Sequence, residues 1–196
     1  MTAMSDALIF LLRSLGELYI SAFLLRLVLQ WLRADFYNPL SQFIIRVTNP
    51  LVVPLRRVVP AVGRIDTASL VAALGLQLAV TLLLLNLACI GEPGLLQVLG
   101  LAALRLVYLL LRIYFFALLI YVVMSWIAPG GYNPATSLLA SLCEPVLAPF
   151  RRLIPPIGGI DLSPLFAILL LQALTMLLPA GPLLRGLLCS AMGQPL

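Results

Sequence analysis

Four stretches of nearly unbroken apolar residues run through the chain, separated by two long segments in which apolar and polar positions are mixed. A helix needs about 20 apolar residues to cross a bilayer. The four runs fall at about 7–32, 67–90, 101–127 and 163–178. The last has 16 residues, about 24 Å of helix, and Pro179-Ala180-Gly181-Pro182 is expected to break it before a short interfacial helix over 183–192. Within 33–66, Asn38 is placed to cap a helix whose first residue is Pro39. Leu40, Phe43, Ile44 and Val47 then recur at helical spacing. Asn133, Pro134, Ala135, Leu138, Leu139 and Leu142 do the same within 128–162. These patterns predict two amphipathic helices lying on the membrane surface. Each is followed by a proline-punctuated stretch, Pro50 to Pro60 and Pro145 to Pro155, which predicts a shallow re-entrant or interfacial turn. Gly63 and Gly158-Gly159 permit the chain to turn back, and Asp66, or Ser163 with Pro164, caps the next span.

The second half repeats the first at a constant offset of 95 residues. Trp31 matches Trp126, Tyr37-Asn38-Pro39 matches Tyr132-Asn133-Pro134, and Pro50 and Pro54 match Pro145 and Pro149. Arg56-Arg57 matches Arg151-Arg152, and Ile65-Asp66 matches Ile160-Asp161. Between 31–66 and 126–161 there are 12 identities in 36 ungapped positions, mostly Pro, Gly, Trp, Asn, Arg and Asp. Chance matching of apolar composition would pair leucines instead. The expected fold is therefore an all-α membrane protein of two repeats. Residues 1–94 hold helices 7–32 and 67–90; residues 95–196 hold helices 101–127 and 163–178 and the short helix 183–192. Two spans per copy return the chain to its starting side, so the copies insert in the same orientation about an axis along the membrane normal. Seven arginines (33, 46, 56, 57, 64, 151 and 152) lie in the two loops, against Arg185 and the helix-end Arg13 and Arg105 elsewhere. The positive-inside rule then puts both loops in the cytoplasm and both termini in the periplasm.

Composition narrows the chemistry. The chain is 63% hydrophobic and 10% charged, with a mean hydropathy of +1.14, where soluble domains carry roughly 25% charged residues. All 12 basic residues are arginine, and there is no histidine. Serine and cysteine nucleophiles paired with histidine, histidine-ligated zinc or haem, Schiff-base lysines and the P-loop lysine are all excluded. Cys89, Cys143 and Cys189 are scattered and read as small apolar residues. The start of the chain, with Asp6 and no basic n-region, reads as a retained helix. No cofactor, metal or enzymatic activity is expected.

Two groups of polar residues remain as candidates. Arg56, Arg57, Arg151 and Arg152 are expected to contact anionic lipid headgroups, or a partner, from the loops. Their alternative use is convergence into an anion or nucleic-acid contact, and direct nucleic-acid binding is not expected. Asp66 and Asp161 are placed to pair with them across the turn. Inside the apolar runs lie Glu17 and Arg112, themselves 95 apart and about 21 Å from the tryptophan end. Unpaired charges there are costly, so Glu17 is expected to pair with Arg112 across the axis or with Arg13 four residues earlier. Arg26 is expected to snorkel towards the interface. Gln77 and Gln172, about 16 Å beyond the aspartates, are expected to hydrogen-bond between helices, with pore lining as the alternative.

The order Glu17-Leu18-Tyr19, Arg26, Trp31, Asp35-Phe36-Tyr37-Asn38-Pro39 and Pro54-Leu55-Arg56-Arg57-x-x-Pro60-x-x-Gly63, echoed from Pro149 to Asp161, resembles the YggT family of integral membrane proteins in its duplicated, four-helix form. Ala61 and Arg64 depart from the fuller pattern, which has a second proline and a second glycine there. The resemblance implies a bacterial inner-membrane, multi-pass protein. Members have been connected with osmotic and potassium homeostasis, with cell division or nucleoid distribution, and in plastids with haem attachment to a cytochrome b subunit. It implies no catalytic residues. The expected function is a non-enzymatic scaffold or assembly factor linked to osmotic stress, partnered by anionic lipid and by another membrane protein or a second copy. The alternative is a small channel or transporter component for potassium or osmolytes.

Overall fold

Among the described residues six helices follow one another in the computed structural model: α1 (Ala3–Trp31), α2 (Pro39–Arg56), α3 (Thr67–Leu87), α4 (Leu95–Ile127), α5 (Pro134–Leu153) and α6 (Ser163–Leu177). The structure describes residues 3–61, 63, 66–87, 94–127, 133–154 and 161–178, and among these there is no strand. Three helices are long and apolar enough to cross a membrane: α1 from Ala7, α3 over Thr67–Leu84, and α4. The apolar α6 is shorter, at 15 residues. The end of the second apolar run at 88–90, Tyr132, the turn 155–160, the break at 179–182 and the short helix over 183–192 lie outside the described residues, as do Cys89, Cys189, Arg64 and Arg185.

The helix α4 begins six residues before its expected start. Gly94 supplies the initiating carbonyl, which accepts from the backbone N–H of Gln97 at 2.9 Å and of Val98 at 3.2 Å. At 33 residues α4 is about 50 Å long, well beyond a hydrocarbon core of about 30 Å. The opposite end of α1 closes with the paired bonds of a Schellman motif, Ala34 N–H to Leu29 C=O at 3.0 Å and Arg33 N–H to Gln30 C=O at 3.2 Å. Arg33 takes the left-handed position there, with φ +52°.

The proline-rich stretches correct the expected turns. Instead of a surface helix followed by a re-entrant segment, α2 runs unbroken through Pro50 and Pro54. Likewise α5 runs through Pro145 and Pro149. A proline inside a helix removes a donor from the carbonyl four residues earlier. All four rings lie on exposed sides, where freed carbonyls need no protein partner. The N-terminal caps form as the sequence predicts: Asn38 Oδ1 accepts from Leu40 N–H at 2.9 Å, and Asn133 Oδ1 from Ala135 N–H at 3.0 Å. The side of α2 that packs inward is Ser41, Ile44, Thr48 and Val52, leaving Leu40 and Phe43 exposed. At α6 the backbone N–H of Ser163 is held by Asp161 Oδ1 at 2.9 Å, so the aspartate, and not Ser163, satisfies this end.

Packing groups the helices as α1 with α2 and α3, and α4 with α5 and α6. In the first group Ile20 and Phe23 of α1 meet Val52 of α2 and the small residues Ala68, Ala72 and Ala73 of α3. Small side chains let helix axes approach closely, and Gly16 of α1 lies directly against Val80 of α3. The second group buries Leu118 of α4, Leu147 of α5 and Ala167 of α6. Leu29, Ile44 and Leu138 pack across the junction. There Asn38 Nδ2 also donates to the Pro134 carbonyl at 2.6 Å. The helix α3 seats against both α1 and α4, whereas α6 seats against α4 and α5 with no comparable contact to α1.

Candidate functional site

The helices α1 and α4 end, and α3 and α6 begin, on the side of the bundle that carries α2 and α5, and the loop arginines and aspartates meet there. Asp66, immediately before α3, is fully buried. Its Oδ2 accepts from Arg56 Nη2 at 2.8 Å and from Ser69 Oγ at 2.7 Å, and its Oδ1 from Arg56 Nε at 3.4 Å. A second cation, Arg26 of α1, approaches Oδ2 at 3.5 Å. Arg26 does not snorkel. It is 6% exposed, and its Nη1 donates to Thr48 Oγ1 at 2.7 Å and Asn49 Oδ1 at 2.9 Å. A guanidinium this close to the interface turns inward because α2 offers two oxygen acceptors to its Nη1 and Asp66 a carboxylate to its Nε. Burial pushes the Asp66 carboxyl up, but the hydrogen bonds from Arg56 and Ser69 and the charges of Arg56 and Arg26 outweigh it and hold it below the usual carboxylate range.

Ninety-five residues later the same positions carry different chemistry. Arg151 Nε donates to Asp161 Oδ2 at 2.9 Å, its Nη1 to Glu144 Oε2 at 2.7 Å and its Nη2 to Tyr121 Oη at 3.3 Å. Tyr121 stands where Arg26 stands in the first half, Glu144 where Asn49 stands, and Cys143 where Thr48 stands. The first cluster therefore has two cations and one anion, the second one cation and two anions. The second is also more open, with the Arg151 and Asp161 side chains 35% and 39% exposed. Against the upward push of burial, bonds from Ser163 and Arg151 hold the Asp161 carboxyl below its usual range. Burial pushes the Cys143 thiol up to about 12, with Arg151 opposing. That thiol is inert at neutral pH.

Each arginine pair thus divides. Arg56 and Arg151 are tied to aspartates, whereas Arg57 and Arg152, exposed as Arg56 also is, have no ion pair to a carboxylate among the described residues. Sequence reasoning missed Thr48, Asn49, Ser69, Tyr121 and Glu144 as members of these clusters. The one available signal was the offset itself, which aligns Arg26 with Tyr121 and Asn49 with Glu144.

Near the middle of α1 and α4 sits the second set of charges. Glu17 Oε1 accepts from Arg13 Nε at 2.9 Å, while Glu17 Oε2 faces Arg112 Nη1 of α4 at 3.9 Å. Both expected partners are therefore present, and the Arg112 guanidinium also lies 5.8 Å from the Phe116 ring centre. Gln77 is fully buried, but its Nε2 reaches only Thr81 Oγ1 of its own helix, at 3.3 Å, and its Oε1 has no partner among the described residues. Gln172 is exposed. Neither amide bridges two helices among the described residues, which corrects the expected interhelical role. The small residues lining α3 let the backbones approach without polar contacts. No group of three or more potential metal ligands occurs among the described residues.

Long apolar helices packed through small residues, with ionic clusters among the described residues at the helix ends and in one tier between helices, mark a helical membrane protein. The chain belongs to the CCB3/YggT family, whose family model matches it twice, over 5–87 and 100–183. The two matches start 95 residues apart, the offset of the internal repeat. It is 50% identical over 178 residues to a protein of Pseudomonas aeruginosa, covering 90% of each chain. It is 42% identical over 175 residues to YggT of Escherichia coli strain K12, covering 87% of this chain and 88% of that one. A chloroplastic YlmG homolog of Arabidopsis thaliana is 43% identical over 65 residues, 33% of this chain and 26% of the plant protein. No solved structure matches the chain.

Proposed function

We propose that the chain is a bacterial inner-membrane scaffold or assembly factor, without enzymatic activity, built from two same-orientation repeats (1–94 and 95–196). In this reading α6 is the fourth crossing, α2 and α5 lie at the cytoplasmic interface, and both termini are periplasmic. The observation that carries it is the division of the arginine pairs. One member of each, Arg56 or Arg151, is clamped to an aspartate ten residues away. Its neighbour, Arg57 or Arg152, is left exposed on the same face. A clamped cation fixes backbone geometry; an unpaired one is available to anionic headgroups or an acidic partner surface. Gln77 and Gln172 do not converge on a shared path, which favours a scaffold over a small channel for potassium or osmolytes.

Photocrosslinking groups placed at 57 and 152 in living cells are expected to capture lipid or a membrane-protein partner, and groups at 56 and 151 to capture little. Equal capture from all four, or potassium flux through the purified protein in liposomes, would count against the scaffold. A tag at either terminus that reacts only from the cytoplasm would reverse the topology. The link to osmotic stress is tested by growth of a deletion strain at high osmolarity, with Arg57→Gln/Arg152→Gln failing to complement.

A further inference from the structure

Between α1 and α4 runs an elongated groove of about 980 Å³, at the upper end of the roughly 300–1,000 Å³ usual for ligand sites. Leu18 and Leu25 of α1 and Ile113 and Ile120 of α4 form its walls, and Phe43 of α2 and Leu138 of α5 close its end. The lining is apolar except for two serines and one charged tier, Arg13, Glu17 and Arg112. Among the described residues α3 seals one side of the α1–α4 junction, whereas α6 has no comparable seat against α1 on the other, which leaves the groove between them.

Charge and shape together say what the groove accepts. Arg105 lies two turns before Arg112, on the stripe of α4 that continues through the lining residues Leu109, Arg112 and Phe116. It is 7% exposed, its Nη1 has no hydrogen-bond partner among the described residues, and it lies within electrostatic range of Arg13 and Glu17. Two guanidinium groups, Arg13 and Arg112, thus flank one carboxylate in the lining, and the charge of the buried Arg105 adds to theirs. Guanidinium does not deprotonate in proteins, so the excess positive charge needs an anion, and phosphate oxygens match its forked donors. From Glu17 to Leu29, the last lining residue of α1, the wall is 12 residues long, or about 18 Å. That is close to one leaflet of a hydrocarbon core about 30 Å thick.

We infer that this groove holds one anionic phospholipid, its phosphate on the Arg13 and Arg112 tier, with the charge of Arg105 adding to the positive field, and an acyl chain lying along the apolar wall towards α2 and α5. The site is distinct from the loop arginines. Only its assignment to the outer leaflet rests on the topology proposed above.

The test uses the full-length protein in detergent, with native mass spectrometry and thermal unfolding read against added lipid. Phosphatidylglycerol is expected to be retained and to raise the unfolding midpoint. Phosphatidylcholine with the same chains is expected to bind at least tenfold more weakly, and inorganic phosphate alone to leave the midpoint unchanged. Arg112→Gln should reduce phosphatidylglycerol retention several-fold, whereas Glu17→Gln, which removes the competing anion, should increase it. Ile120→Trp, at an exposed wall position away from the charges, should reduce retention by filling the apolar part. Equal retention of the two lipids, or retention insensitive to Ile120→Trp, would overturn the inference. Loss of phosphatidylglycerol binding in Arg57→Gln/Arg152→Gln, with Arg112→Gln unaffected, would move the lipid site to the loops. A dimer crosslinked through Ile120 would assign the groove to a second copy.

Discussion

Arg26 and Asp66 are 40 residues apart in sequence and meet at 3.5 Å, both nearly or fully excluded from solvent. With Arg56 they join the end of α1, the end of α2 and the start of α3. Removing one member of a buried ion pair leaves the other charge uncompensated, at about 3–5 kcal/mol. Asp66→Asn should therefore lower the unfolding midpoint in detergent sharply. Asp161→Asn, in the open cluster, should cost within about 1 kcal/mol. Similar losses in the two variants would show that the clusters are energetically equivalent, contrary to their burial.

Acid sensitivity follows from the same carboxylates. Both Asp66 and Asp161 have folded-state pKa values depressed below the ordinary one, so the unfolded chain binds protons more readily than the folded chain. Their contribution to stability is complete above the ordinary aspartate pKa of about 3.9 and disappears as pH falls below it. The unfolding midpoint should vary little on their account from about pH 5 to 8 and fall below about pH 4. In Asp66→Asn the acid step should shrink, leaving the part due to Asp161.

A contrast between two glycines tests the packing of α1 on α3. A Cβ added at Gly16 would lie 2.9 Å from Val80 Cγ2, while one at Gly75 would meet nothing within 4 Å. Overpacking of this kind costs about 1–3 kcal/mol, against a gain in helix propensity of up to about 1 kcal/mol. Gly16→Ala should lower thermal stability and Gly75→Ala should leave it unchanged or raise it. Stabilisation by Gly16→Ala would mean that the two helices are not held this close.

The end of α1 offers a substitution expected to stabilise. Arg33 has φ +52°, a left-handed conformation that costs a residue with a Cβ about 1–2 kcal/mol relative to glycine. Arg33→Gly should raise the unfolding midpoint and Arg33→Val lower it. Equal midpoints would show that the Schellman motif does not hold α1 closed.

Much of this architecture could be read directly from the residues. The start of α6 and the asparagine caps of α2 and α5 follow from local chemistry, because a cap and its N–H lie two residues apart. Asp66, expected to cap α3, instead spends its carboxylate on Arg56 and the Ser69 hydroxyl. The continuity of α2 and α5 could not be read this way. Whether a helix continues through Pro50 or Pro145 depends on which side faces outwards, and that is set by packing against other helices. Arg26 was misplaced for the same reason: its acceptors Thr48 and Asn49 lie more than 20 residues away and become adjacent only when α2 folds back on α1. Gln172 and Gln77 occupy equivalent positions in the sequence, yet one is exposed and the other buried. The two halves pack unequally, and the sequence offset by itself carries no sign of that.

The missing seat between α6 and α1 has a consequence for symmetry. Two identical single-unit chains joined about a twofold axis must treat both sides of their junction alike, so sealing one side seals the other. Linking two unlike halves in one polypeptide lifts that restriction. Among the described residues one flank is closed by α3 and the opposite flank stays open, a single sidedness around the membrane normal that a symmetric pair of half-length chains cannot have.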